Sequence, residues 1–219
     1  MTAAGPCATV VDVSTVARPL DPNIIGISAG FQMWHVGHPH VPFASFDTRS
    51  DTDYRFSPLT RHGAIVGTLY AAETKAAAIA ETLWRGLPLN GALLPFDRVA
   101  DRPVGVFTNT RPLRLVELHD PGLRKLGLRS TDLTDTSPMC YPLTRAYGQA
   151  LLADHPDVDG FVWMSSRFNR DKAYLLIDRD PRQIAVGAHA LFSDPVERDH
   201  LITVSDAAGI AVTLPVDGI

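Results

Sequence analysis

The sequence is poor in cysteine: Cys7 and Cys140 are the two it has among 219 residues. Their separation fits neither a paired metal cluster nor a disulfide framework, so the residues alone favour a reducing compartment. Lysine is also scarce, and a formal net charge of −4 supplies no bulk positive field of the kind that holds duplex nucleic acid or an anionic membrane surface. No apolar run is long enough to cross a bilayer. The opening "MTAAGPCATVVDVSTVARPL" lacks the charged start and sustained apolar stretch of a secretion signal. These absences lead to an expected soluble, cytoplasmic protein with no direct contact to nucleic acid or membrane.

Enzyme signatures are missing too. There is no Walker A loop, dinucleotide-binding glycine fingerprint, H-E-x-x-H, paired C-x-x-C or G-x-S-x-G elbow. The one local histidine cluster, "HVGHPH" with His35, His38 and His40, would need further ligands from elsewhere to make a metal hydrolase. A polar loop is the simpler reading, and no metal is expected.

What is present suits one core: 45% hydrophobic and 20% charged residues in a chain of single-domain size. Residues 1–30 are rich in small residues, Pro and Gly and read as an arm or lead-in with one short strand, "ATVVDV". Residues 31–219 form the remaining unit. "QMWHVG" reads as a strand, and the segment from His38 to Gly63 as a long loop without helical period. "AIVGTLYAA" is β-rich, and "TKAAAIAETLWRGL" follows as a helix with Thr74 as N-cap and Gly86 as stop. Further on, "PLRLVELHD" predicts a strand, "DPGLRKLGL" a turn with a short helix, and "YPLTRAYGQALLADHP" a helix bounded by Pro142 and Pro156. "DGFVWMSSRFNRDKAYLLIDRD" predicts two strands joined by a polar turn, and "AVGAHALF" and "HLITVS" closing strands. Strands and helices mixed without regular βαβ repetition predict an α+β fold.

Glu81 lies on the alanine-rich helix. At 100° per residue Ala76, Ile79, Ala80 and Leu83 form its apolar stripe, and Glu81 falls off it. As a surface charge it would pair with Arg85 four residues on, for about 0.2–0.5 kcal/mol. Ala77, Ala78 and Trp84 make its surroundings less polar than a solvated face. Small residues there also let a ligand approach closely. Arg55, Tyr70 and Ser165, taken one at a time, read as a surface arginine, a core aromatic and a backbone-bonded hydroxyl.

Taken together and in order, these residues resemble the RES-domain family, named for its Arg, Glu and Ser. The likeness runs from about Met33 to Arg179 and rests on the loop arginine, "LYAAETKAAAIAET" and "DGFVWMSSRF". It places the family's Arg, Tyr, Glu and Ser on Arg55, Tyr70, Glu81 and Ser165. The sequence departs from the family pattern at His35, where relatives often carry Arg, and at Asp53-Tyr54, where a Gly pair is common. The resemblance implies a mixed or split sheet flanked by helices, like ADP-ribosyltransferases, in a toxin of a toxin–antitoxin pair that breaks the nicotinamide–ribose bond of NAD. Glu81, Arg55 and Ser165 would be catalytic, and Tyr70, His35, Tyr54 and Trp163 would bind substrate. NAD would be the substrate and no cofactor is invoked; the acceptor would be water, phosphate or a protein. The expected partner is a helix-turn-helix antitoxin, and a homodimer stays open. The rival from another class is a non-catalytic RES-shaped module that binds a nucleotide or a protein.

Overall fold

The computed structural model describes residues 7, 9–51, 53–180 and 182–214. In chain order their elements are β1 (Ile24–Ile27), β2 (Gln32–Val36), β3 (Leu59–Arg61), β4 (Ala64–Val66), β5 (Thr68–Ala72), α1 (Lys75–Leu83), β6 (Ala92–Pro95), β7 (Pro103–Asn109), β8 (Leu113–Glu117), α2 (Asp120–Lys125), α3 (Ser130–Leu133), α4 (Tyr141–Asp154), β9 (Gly160–Met164), β10 (Lys172–Ile177), β11 (Ile184–Leu191), α5 (Pro195–Asp206) and β12 (Ile210–Thr213). Eight strands build a mixed sheet in the order β1-β8-β9-β10-β5-β2-β7-β11. Within it β8 and β9 run parallel and the other neighbours antiparallel. The result is a single α+β domain.

The period of two along the strands sorts side chains between the faces of this sheet. Phe161 and Trp163 of β9 and Ala173, Leu175 and Ile177 of β10 turn to one face, where Tyr147, Ala150 and Leu151 of α4 cover them. Val162, Tyr174 and Leu176 alternate to the other, against Met33, Leu69 and Phe107. On α4 the buried positions Thr144, Tyr147, Gly148 and Leu151 repeat at helical spacing. Gly148 sits where a Cβ would come within 3.2 Å of Phe56 and 3.3 Å of Phe161, so the helix lies close on the sheet.

The lead-in behaves differently from its expected strand, whose first residue lies outside the described residues. Asp12 accepts from the Ser14 amide and caps a single 3-10 turn, Val13–Thr15. The strand comes later, as β1, which pairs with β8. "HLITVS" is likewise not a strand but part of α5. Asp194 caps it by accepting from the Val196 amide, and its buried Leu201 and Ser205 stand four apart, a helical spacing that a short β-branched run conceals.

The expectation for the cysteines is overturned. Cys7 and Cys140 are 133 residues apart in sequence, yet their Cα atoms lie 5.5 Å apart and they form a disulfide. The chain before β1 folds back over α3, with the Val11 amide donating to the Asp132 carbonyl, and this long-range return is invisible in cysteine spacing. The inference of a reducing compartment loses its support. No helix among the described residues is long and apolar enough to cross a membrane.

Asp159 and Gly160 fasten the start of β9. The Asp159 carboxylate accepts from Arg111 at 2.7 Å and from the Arg114 amide at 2.8 Å. A Cβ on Gly160 would stand 1.9 Å from the Leu175 carbonyl oxygen on β10. Gly160→Ala is therefore expected to destabilise by about 3 kcal/mol or more, the scale of severe backbone clashes. Gly26→Ala, with nothing within 4 Å, should stay within about 0.5 kcal/mol. Urea titrations of both variants check this contrast, and equal stability would contradict the close β9–β10 approach.

Candidate active site

The sheet is not continuous at its centre. β2 pairs with β5 at one register position, Trp34 with Ala72, and beyond it the two strands part. His35 spans the gap, its Nδ1–H donating to the Tyr70 carbonyl at 2.8 Å. A cavity of about 490 Å³ opens there, walled by both strands, α1, the loop from His38 to Arg55, Tyr141 at the start of α4 and Trp163 of β9. That volume falls in the range of small-molecule sites, roughly 300–1,000 Å³.

Glu81 lines this cavity. α1 presents it there because Thr74 caps the helix, accepting from the Ala77 amide, and because the helix is sealed by Ala77, Ala78, Ile79, Ala80 and Leu83. Glu81 does not pair with Arg85. Its Oε1 accepts from the Ser165 hydroxyl at 2.5 Å. Ser165 is fully buried, and its Oγ also accepts from the Phe168 amide at 2.9 Å. Its one proton is committed to Glu81, so it stands behind the carboxylate and not on the cavity wall. Gly86, at φ 80°, turns the chain after the helix.

Arg55 is 6% exposed, far from the surface arginine its polar segment suggests. Its guanidinium donates to Thr136 Oγ1 at 3.1 Å and lies 5.5 Å from the centre of the Tyr141 ring. The loop that carries it is tied to β5: the Phe56 amide donates to the Tyr70 hydroxyl at 3.0 Å. Burial pushes that phenol up to about 12, so it stays protonated. The Tyr70 ring lines the cavity between Tyr54, 5.5 Å away, and Trp163, 6.2 Å away. The Trp163 indole N–H is buried without a partner.

Sequence reasoning missed the other cavity arginines. Arg85 lies 4.8 Å from the rings of both Tyr54 and Tyr141 and donates to the Asp53 carbonyl; its position four residues after Glu81 suggested an ion pair instead. Arg102 belongs to no motif, and Arg167, though it stands in "DGFVWMSSRF", was given no role there. With Arg49 and Arg55, five arginines line the cavity against two carboxylates, Asp47 and Glu81. A chain of net negative charge thus concentrates positive charge around one hollow, which suits a ligand with several anionic oxygens.

The histidine cluster does not assemble. His35 turns its Nδ1 to Tyr70, while His38 and His40 face each other at 5.6 Å. Among the described residues no group of three or more His, Cys, Asp or Glu side chains is placed to hold a metal ion.

Burial, with the nearby Arg102 charge as a smaller cause, brings His35 down to about 4. It is neutral near pH 7, with the proton on Nδ1 and Nε2 left as an acceptor. Between about pH 6.5 and 4 the unfolded chain takes up a proton at this residue that the folded chain refuses, so stability falls as pH drops through that window. Between pH 7 and 4.5, wild type should lose about 2 kcal/mol more than His35→Asn. Denaturant titrations at the two pH values check this, and carboxylates common to both chains cancel. Equal losses would contradict a buried neutral His35.

The sequence was also compared with known proteins. No curated protein and no solved structure gave a significant match. The family model of the RES domain matches residues 32–199, a span holding β2, the arginine-bearing loop, α1 and β9. RES domains are generally NAD-related, toxin-like modules, typically of toxin–antitoxin systems. The chain belongs to the RES domain family.

Proposed function

We propose that the cavity binds NAD and breaks the bond between nicotinamide and ribose. The observation that carries this reading is Glu81: a carboxylate on the wall of an arginine-rich hollow, held by Ser165 at 2.5 Å. Departure of nicotinamide leaves positive charge shared between the anomeric carbon and the ring oxygen of the ribose. A fixed carboxylate beside that sugar stabilises the charge as it develops, as in glycoside hydrolysis. The bonding pair leaves on an already cationic pyridinium nitrogen, so a dedicated general acid is unnecessary. With water as acceptor, its oxygen bonds the anomeric carbon, one proton is released, and the products are ADP-ribose and nicotinamide. Phosphate or a protein side chain in place of water would make the protein a phosphorylase or an ADP-ribosyltransferase.

The neighbouring residues divide the remaining work. Ser165 positions Glu81. Arg55, with its planar fork fixed by Thr136, pairs with phosphate oxygens. Tyr70 offers a ring face to nicotinamide with buried Trp163 packed behind it, Tyr54 closes the aromatic wall, and neutral His35 accepts from a ribose hydroxyl. NAD is the substrate and no cofactor is needed. The protein would act as a cytoplasmic toxin restrained by a helix-turn-helix antitoxin, and light scattering of the purified chain decides whether it works as a homodimer.

Glu81→Gln removes the charge at nearly constant size and helix propensity. Nicotinamide release should fall by about two to three orders of magnitude, the effect of deleting one preorganised electrostatic group. Arg55→Lys keeps a charge without the fork and should weaken NAD binding by about tenfold or more. Rates at matched folded concentration and equilibrium titration check the two variants. A Gln variant as fast as wild type would remove Glu81 from the chemistry, and unchanged NAD affinity would remove Arg55 from the phosphates.

A further inference from the structure

Arg102 stands where the chain enters β7, beside the end of β2, and its Nε donates to the Gly37 carbonyl at 3.0 Å. That bond fixes the guanidinium plane and leaves the terminal nitrogens free of hydrogen bonds to the described residues. The residue lines the cavity. No carboxylate among the described residues pairs with it, whereas nearby Arg49 has Asp47 and Arg145 has Asp53. Burial lowers its pKa, opposed only by the Tyr54 phenol; an arginine so placed stays charged. A partly buried cation without a counter-ion is costly to the free protein. An anion entering the cavity would offset that cost.

Its location differs from that of the other cationic pair. Arg55 and Arg85 gather around the Tyr141 ring at 5.5 and 4.8 Å, on the wall formed by α1 and the start of α4. Arg102 approaches from the β2–β7 wall, next to neutral His35. A ligand that meets both walls carries anionic oxygens beside a sugar, with hydroxyls to donate to the free His35 Nε2. A dinucleotide diphosphate has that chemistry.

We propose that Arg102 is a diphosphate-binding residue of this cavity, gripping phosphoryl oxygens while His35 accepts from the adjoining ribose hydroxyl. This rests on the reading of the cavity as an NAD site and adds a second cationic wall to it. Arg102 acts on binding, not on the breaking bond.

The test titrates ADP-ribose, which the reaction does not consume, and adenosine, which lacks the diphosphate, into wild type and Arg102→Gln. ADP-ribose affinity should fall about ten- to hundredfold, the range for losing hydrogen bonds to a charged group, with adenosine affinity unchanged. Unchanged ADP-ribose affinity, or equal loss for both ligands, overturns the proposal. Should the Gln variant melt early through loss of the Gly37 bond, Arg102→Lys decides: its charge without the fork should still cost ADP-ribose several-fold and spare adenosine, and no selective loss overturns the assignment. If wild type takes up no ADP-ribose, the NAD reading fails on its own, and inorganic pyrophosphate judges Arg102 separately. Uptake by wild type but not by Arg102→Gln supports the anion site; equal uptake, or none by either, overturns it.

Discussion

The parting of β2 from β5 beyond Trp34 and Ala72 is the constraint on which the site depends. A sheet paired along its whole length would fill this space with backbone hydrogen bonds and leave no room for a ligand. Here the ladder is replaced by the single bond from His35 Nδ1 to the Tyr70 carbonyl, which holds the strands at a fixed separation while facing aromatic and cationic groups into the gap. An imidazole suits this role when neutral, since a charged ring in that wall would be poorly solvated and would stand beside Arg102. The same histidine therefore sets the shape of the cavity and keeps one acceptor available inside it.

Around that gap the remaining parts arrive from distant segments, each anchored on the sheet. The Tyr70 hydroxyl fastens the loop of Arg55 through the Phe56 amide. Ser165, just past the end of β9, fastens Glu81 on α1. The two bonds span 14 and 84 residues, and the longer one, which holds the carboxylate, makes the electrostatics of the site a property of the completed fold. Preorganisation of this kind is what makes a lone carboxylate effective against a developing cation, because little rearrangement remains for the moment of reaction.

Much of this was legible from residue order. Thr74, the alanine run and Gly86 mark α1 by local capping chemistry, and the alternation in "GFVWM" marks β9, so Glu81 could be placed on its helix and Ser165 at the end of its strand. Their contact could not, since a hydrogen bond across 84 residues has no local signature. Arg102 escaped because a lone arginine before a strand looks like any surface charge; its significance lies in the missing counter-ion. Arg85 was misread for the opposite reason: the i,i+4 rule names a partner, and the rings of Tyr54 and Tyr141 took the guanidinium instead. The helical reading of α5 was lost to its β-branched run, which tertiary packing of Leu201 and Ser205 overrides. The Cys7–Cys140 bond was hidden by the return of the lead-in across α3.

The central claim is that this RES domain breaks NAD and does not merely bind it. The departures at His35 and Tyr54 from the family pattern are what a silent binding module would also display, and binding alone cannot separate the two. The decisive measurement is a time course of NAD and free nicotinamide with the purified chain, beside its melting temperature with and without NAD. The account predicts nicotinamide appearing mole for mole as NAD disappears. NAD that raises the melting temperature yet stays intact would contradict it.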